Sequence, residues 1–231
     1  MQAILLCGGL GTRLREVIKD IPKPMAPVNG TPFMQIKLDQ LVDAGVSRVV
    51  FATGYKKEII RDYFGDNYRG MEIYYSEENE LLGTGGAIMQ ALQYITEDNA
   101  IVMNGDVYID IDLIDLYQFH LNNPCIATIA VKPMHDFDRY GNCIFDGILI
   151  QQFVEKQPTK FGHINLGCYV LSAQIFDGLN LPHKFSFEND YLNIYVQSRP
   201  HHVYINDGYF MDIGIPSDYF SFIDYMSKKT Q

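Results

Sequence analysis

Residues 3–25 read AILLCGGLGTRLREVIKDIPKPM: an apolar run that breaks into a glycine loop, then an arginine, then Pro22-Lys23-Pro24. Ala3 to Cys7 has the length and composition of a β-strand. Gly8, Gly9 and Gly11 can take positive φ or let another group approach the main chain, so the loop's amides can turn toward an anion. Arg13 and Lys23 add two cations to the same neighbourhood, and the flanking prolines stiffen the backbone at Lys23. The glycines alone would also suit a plain strand-to-helix turn; the cations favour phosphate. Two common phosphate loops do not fit. A P-loop has lysine directly after its last glycine, and a dinucleotide fingerprint needs a third glycine where this chain has Leu14.

Outward from this stretch, apolar runs alternate with helical patterns, which predicts an α/β fold with a mostly parallel sheet. After the first strand comes an amphipathic helix over 32–44, a strand over 48–53, a helix over 56–64 and a strand over 71–75. A helix over 85–95 and a strand over 100–103 follow, the latter ending in Asn104-Gly105-Asp106. Beyond Asp106 a helix over 112–121 precedes a β-rich stretch, with strands at 126–131, 143–145, 149–155 and 166–171, so the sheet becomes mixed. Short helices at 172–176 and 188–196, strands at 202–205 and 209–212 and a helix over 217–227 complete the pattern. In open parallel sheets the ligand crevice lies beyond the carboxyl ends of the strands, where several glycine-rich and polar turns fall here.

The chain has 231 residues and a formal charge of −10, from 28 acidic side chains against 18 lysines and arginines. That balance argues against nucleic acid or an anionic membrane as partner, since both reward a basic face. Positive charge is gathered locally instead: Arg13, Arg15, Lys19 and Lys23 outnumber Glu16 and Asp20 between residues 11 and 25. No apolar run reaches the ~20 residues of a membrane span, and the N-terminus lacks the basic region of a leader. Cysteines at 7, 125, 143 and 168 have no C-x-x-C or zinc spacing, which leads us to expect reduced thiols in a cytoplasmic protein. The six histidines show no ligand spacing. Without a repeat or linker, we expect one domain over 1–231.

Ordered segments along the chain carry a resemblance. Gly8-Gly9-Leu10-Gly11-Thr12-Arg13-Leu14 with Pro22-Lys23-Pro24-Met25 resembles the signature of the sugar-phosphate nucleotidyltransferases, with Cys7 where that family commonly has alanine. Leu82-Gly83-Thr84-Gly85-Gly86-Ala87, Asn104-Gly105-Asp106, Tyr140-Gly141, Phe153-Val154-Glu155-Lys156, Asn165-Leu166-Gly167-Cys168-Tyr169 and Asp212-Ile213-Gly214 with Pro216 follow in the family's order. Within the family the chain is most similar to the short D-glycero-D-manno-heptose 1-phosphate guanylyltransferases, through Pro22 to Pro27, Phe185-Ser186-Phe187-Glu188 and Asp207 to Gly214.

The resemblance implies a three-layer Rossmann-like fold with a mixed, mainly parallel central sheet. It divides the chain into a nucleotide-binding half, about 1–110, and a sugar-phosphate-binding half, about 111–231. The implied reaction joins an NTP to a sugar 1-phosphate and releases pyrophosphate. Two anions must be brought together, so charge neutralisation and alignment are the main catalytic problem, and no covalent nucleophile is needed.

Asp106 and Asp212, each at an apolar strand end, are the implied Mg²⁺ ligands; either could instead cap a turn. Arg13, Lys23 and Lys156 are the implied catalytic cations, Lys156 being the one for the sugar phosphate. The nucleotide is expected at Leu6, Gly8, Gly9, Gly11, Thr12, Glu78, Gly83 and Thr84, and the sugar phosphate at Asn104, Tyr140, Gly141, Glu155, Lys156, Asn165, Gly167 and Glu188. Thr84 could also be only a helix cap. Glu78 favours GTP, because guanine presents two donors along one edge and uracil or thymine only one. Alternatives are a mannose 1-phosphate guanylyltransferase, a uridylyl- or thymidylyltransferase on a hexose phosphate, or a non-catalytic nucleotide-sugar-binding subunit. That last reading predicts loss of a key charge, and all five are present. The sequence leaves a homo-oligomer open.

Overall fold

Neighbouring residues of the central strands point into two different cores. Ala3 and Leu5 join one hydrophobic cluster and Ile4 the other, and the same alternation sets Val49 and Phe51 against Val50 and Ala52, and Ile101 and Met103 against Val102. A sheet covered on both faces needs apolar residues at both parities, which is why these strands read as unbroken apolar runs. The computed structural model describes residues 1–9, 12–14, 17–18 and 21–229, with the backbone alone at Thr12.

The strands are β1 Gln2–Leu6, β2 Pro27–Val28, β3 Thr31–Pro32, β4 Arg48–Thr53, β5 Asn67–Tyr68, β6 Met71–Glu77, β7 Asn99–Asn104, β8 Val107–Ile109, β9 Ala127–Phe137, β10 Asn142–Asp146, β11 Leu149–Val154, β12 Thr159–Ser172, β13 His201–Ile205 and β14 Phe210–Asp212. The helices are α1 Phe33–Asp43, α2 Lys57–Phe64, α3 Gly83–Ala91, α4 Leu113–Asn122, α5 Asn193–Tyr195 and α6 Pro216–Lys229. Among the described residues ten strands form one sheet in the order β10-β11-β13-β9-β12-β7-β1-β4-β6-β5. β6, β4, β1 and β7 run parallel, β12 runs against β7 and β9, and β13 runs with β9. The sheet is therefore mixed, with a parallel centre.

Helices cover both faces. α1, α2 and α4 bury Leu38, Ile60 and Leu116 in one cluster; α3 and a π-helical turn over Phe187–Leu192 bury Ile88, Phe187 and Tyr191 in the other. This is the expected three-layer Rossmann-like arrangement. A third cluster joins α6 to the β2–β3 hairpin and to Leu14, with Phe222 edge-on to Phe33 at 5.3 Å. Asp112 caps α4 by accepting from the Ile114 and Asp115 amides at 3.0 and 2.9 Å.

Two expectations need correction. The segment 172–176 is a succession of turns, in which Ile175 donates to Ser172 and Asp177 to Gln174, each reaching back three residues. The Ala173 amide is drawn off to Asp98 at 2.7 Å, and Gly178 at φ +75° turns the chain away, so no α-turn closes. β9 and β12 are longer than the apolar runs at 126–131 and 166–171. Their outer parts pair from Thr159↔Phe137 to Asn165↔Val131 and carry Lys132, Pro133, His135 and Asp136, polar residues that mask a strand whose faces are partly solvated.

Candidate active site

The carboxyl end of β1 opens the first cavity. The Cys7 amide extends the ladder to Ala52 at 2.8 Å, and the chain then turns through Gly8. A Cβ on Gly8 would run into the carboxylate of Glu78, which stands just past β6, so a larger residue here displaces that carboxylate. Glu78 Oε2 accepts from the Leu82 amide at 3.0 Å, and burial holds the carboxyl above the usual range against the opposing effect of that hydrogen bond. Cys7 is a buried thiol that burial keeps protonated, consistent with a small inert residue where alanine is common.

The second glycine cluster packs against a distant segment. The Gly85 and Gly86 amides donate to the Phe185 carbonyl at 3.0 and 3.3 Å, and a Cβ on Gly85 would strike the Phe185 ring. Gly83, at φ +74°, would meet the same segment's backbone. Between them these elements enclose a cavity of about 560 Å³ lined by Leu6, Gly8, Gly9, Glu78, Gly83 and Thr84, the expected nucleotide positions. Gly11 lies outside the described residues, as does the side chain of Thr12.

A second cavity of about 540 Å³ is lined by Asn104, Tyr140, Gly141, Glu155, Lys156, Asn165, Gly167 and Glu188, the whole expected sugar-phosphate set. Glu155 and Lys156 are exposed just beyond β11. The opposite wall is a hydrogen-bonded chain. Thr84 and Ser186 hydroxyls donate to Glu188 Oε2 at 2.6 and 3.0 Å, Tyr169 donates to Oε1 at 3.3 Å, and Asn165 Nδ2 donates to the Tyr169 hydroxyl at 2.8 Å. Glu188 is thus engaged by three protein hydroxyls. Thr84 also accepts from the Phe187 amide at 2.8 Å, so its hydroxyl ties the two walls together. Gly167, at φ +67°, leaves space for the Asn104 side chain, which a Cβ there would strike.

Arg13, Thr84, Asn104 and Asp106 line both cavities and so mark where they meet. Asp106 follows β7, and β8 then pairs with β14 so that Asp212 lies opposite Val107 and the Ile213 amide donates to the Asp106 carbonyl at 3.1 Å. Sheet pairing thereby brings the two aspartates together. Lys23 Nζ stands between them, 2.6 Å from Asp106 Oδ2 and 3.5 Å from Asp212 Oδ1, and is only 8% exposed. Asp106 is 40% exposed, so it opens into the cavities and is not buried as its apolar strand suggested. Lys23, expected to face phosphate, faces the carboxylates.

A family model described as nucleotidyl transferase matches residues 2–229. The chain belongs to the nucleotidyl transferase family. It is 47% identical over 224 residues to a D-glycero-alpha-D-manno-heptose 1-phosphate guanylyltransferase of Campylobacter jejuni, covering 96% of this chain and 99% of the relative. Its identity to the protein of the same name from Aneurinibacillus thermoaerophilus is 43% over 219 residues, 95% of each chain. The crystal structure of HddC from Yersinia pseudotuberculosis complexed with GMP-PN superposes with a TM-score of 0.85 at 36% identity, over 97% of this chain and 99% of that one.

In this nucleotidyl transferase the donor set at the junction fits a hard divalent cation. Two carboxylates already share one positive charge, and they leave most of an octahedral shell to phosphate oxygens and water. Among the described residues no third His, Cys, Asp or Glu joins them.

Sequence reasoning missed three cations. Arg139 lines the second cavity, bonded to Asp218 at 2.9 Å and to the Tyr140 hydroxyl at 3.2 Å. Lys184 lines the first cavity. Lys37 is fully buried in α1 and donates to the Val107 carbonyl at 2.8 Å, beside Asp106; burial lowers its pKa to about 8. Gln40 likewise holds the Ile109 carbonyl at 2.8 Å, so α1 anchors the free edge of β8. A signal for Lys37 exists: it sits with Met34, Leu38 and Leu41 on the apolar stripe of its helix, where a charge needs a partner.

Proposed function

We propose that this protein transfers the guanylyl group of GTP to D-glycero-D-manno-heptose 1-phosphate, yielding GDP-heptose and pyrophosphate. The observation that carries the reading is the meeting of two cavities at Asp106. A nucleotide in one and a sugar phosphate in the other present the α-phosphate and the attacking phosphate oxygen to the same charged junction. A bond forms from that oxygen to the α-phosphorus as the bond to the departing pyrophosphate breaks, with no enzyme-bound intermediate.

Arg13 and Lys23 serve the triphosphate, and Lys156 the sugar phosphate. Glu78 accepts from the guanine edge, while Glu155 and Asn165 hydrogen-bond sugar hydroxyls. Glu188 orients Thr84 and Tyr169. Asp106 and Asp212 hold a Mg²⁺ ion, which when bound neutralises charge on the phosphates. Choice of guanine and of heptose is supported by the two relatives of that name at 43% and 47% identity and by the neighbour complexed with GMP-PN. We read residues 1–231 as one unit working in the cytoplasm, consistent with four free cysteines, and supplying activated heptose for capsule or surface glycans. No helix among the described residues is long and apolar enough to cross a membrane.

The test is pyrophosphate release with Mg²⁺ over a grid of GTP, ATP, CTP, UTP and dTTP against heptose, mannose and glucose 1-phosphates. Turnover concentrated at GTP with the heptose phosphate is expected. A maximum elsewhere in the grid replaces the substrates, and silence throughout from folded protein overturns the reaction.

A further inference from the structure

Lys23 occupies an unexpected place. Its ammonium contacts both aspartates of the junction, is almost wholly enclosed, and belongs to a residue that also lines the nucleotide-side cavity. The backbone beneath it is fixed: Pro22 and Pro24 flank it, and the Met25 and Ala26 amides close a 3₁₀ turn onto Pro22 and Lys23 at 2.8 and 3.0 Å. The side chain stands against the carboxylates on one side and the cavity on the other.

We infer that Lys23 is a built-in counter-ion that keeps divalent metal out of the nucleotide-free protein and yields the aspartates only when a nucleoside triphosphate takes up its charge. The inference rests on the proposed metal role of Asp106 and Asp212. With Lys23 seated, the two carboxylates and one ammonium carry a net charge of −1, and the oxygen nearest the ammonium on each aspartate faces a cation already. A divalent ion entering between them meets like charge and finds one oxygen of each aspartate already engaged. A triphosphate reverses both conditions. Its oxygens attract the Lys23 ammonium into the cavity, and they supply the ligands that two aspartates cannot. Metal and nucleotide consequently enter as one unit, and the protein binds neither tightly alone.

The test is Mn²⁺ binding to the whole protein without nucleotide, followed by electron paramagnetic resonance of the free ion, in the wild type and in Lys23→Met. We expect weak binding to the wild type, binding about tenfold or more tighter to Lys23→Met, and loss of that gain in the double variant Lys23→Met/Asp106→Asn. Adding a non-reacting GTP analogue should tighten Mn²⁺ binding in the wild type far more than in Lys23→Met. Equal, weak Mn²⁺ binding by wild type and Lys23→Met overturns the inference. Should Asp106→Asn also leave Mn²⁺ binding in the presence of the analogue unchanged, the metal role of Asp106 fails too, and the two failures are thereby told apart. If the unpaired aspartates prevent Lys23→Met from folding, thermal unfolding with and without Mn²⁺ gives the same reading: rescue by the ion supports the inference, and no rescue overturns it.

Discussion

The two halves of the site are built in different ways. On the nucleotide side, parallel strands β1, β4 and β6 deliver glycines and loop backbone at their carboxyl ends, and Glu78, just past β6, is packed against a glycine. On the sugar side, long strands and their connections deliver side chains: Asn165 from the middle of β12, Lys156 from beyond β11, Glu188 from a π-helical turn. A backbone-lined cavity is specified by topology and tolerates little change. One lined by strand side chains can be altered a residue at a time without touching the fold, which suits the side that must distinguish one sugar from another.

That contrast can be broken at several points. Asp106→Asn strikes the junction shared by both halves, so pyrophosphate release should fall by about 10³-fold while the protein stays folded, Lys23 keeping Asp212 as its partner; near-normal turnover would remove Asp106 from the mechanism. Gly8→Ala should confine its damage to one side. The new methyl displaces the Glu78 carboxylate from its bond to the Leu82 amide, and we expect KM for the nucleotide to rise roughly 10- to 100-fold with KM for the sugar phosphate little altered. Lys156→Ala should do the converse, raising KM for the sugar phosphate about tenfold. Equal effects of Gly8→Ala and Lys156→Ala on both Michaelis constants would mean that the halves do not act separately.

The smallest effect is on stability. His120 and His201 are buried, and burial lowers each pKa to about 4. Their unfolded forms take up protons near 6.5, so the unfolded state binds more protons between pH 6.5 and 4 and stability falls as pH drops through that window. Each should remove about 2 kcal/mol by pH 5. Urea titrations of His120→Gln and His201→Gln should show a flatter pH slope than the wild type. His120 bonds Thr128 on β9 and Asn99 on β7, and His201 bonds the Tyr191 hydroxyl, so protonation acts on the packing around β9, β7 and β13.

Much of this was legible in the sequence because the nucleotide side is written in glycines and strand ends. Gly83 and Gly85 are each demanded by a close approach, and Arg48–Thr53 was readable to the residue. Asp106 and Asp212 were readable as strand-end carboxylates, while their pairing depended on β8 and β14, three-residue strands too short to leave a periodic signal. The partner of the second glycine cluster, Phe185, lies about a hundred positions away, and no local pattern points to it. Lys23 was recognised and its neighbours were not. A lysine between prolines announces a fixed cation, but whether it faces a phosphate or an aspartate is decided by tertiary pairing. The turns over 172–176 misled for the same reason, since the bond from Ala173 to Asp98 overrides local helix preference.

The separation of the charged trio along the chain has a consequence for synthesis. Lys23 and Asp106 are 83 positions apart, but Lys23 and Asp212 are 189 apart, so the junction closes only when nearly the whole chain has left the ribosome. Contacts of such separation form late, after loop-closure entropy has been overcome. A chain that has not yet reached Asp212 can therefore pair its parallel strands and still lack the second aspartate, so the charged trio is completed only after the sheet's centre is in place.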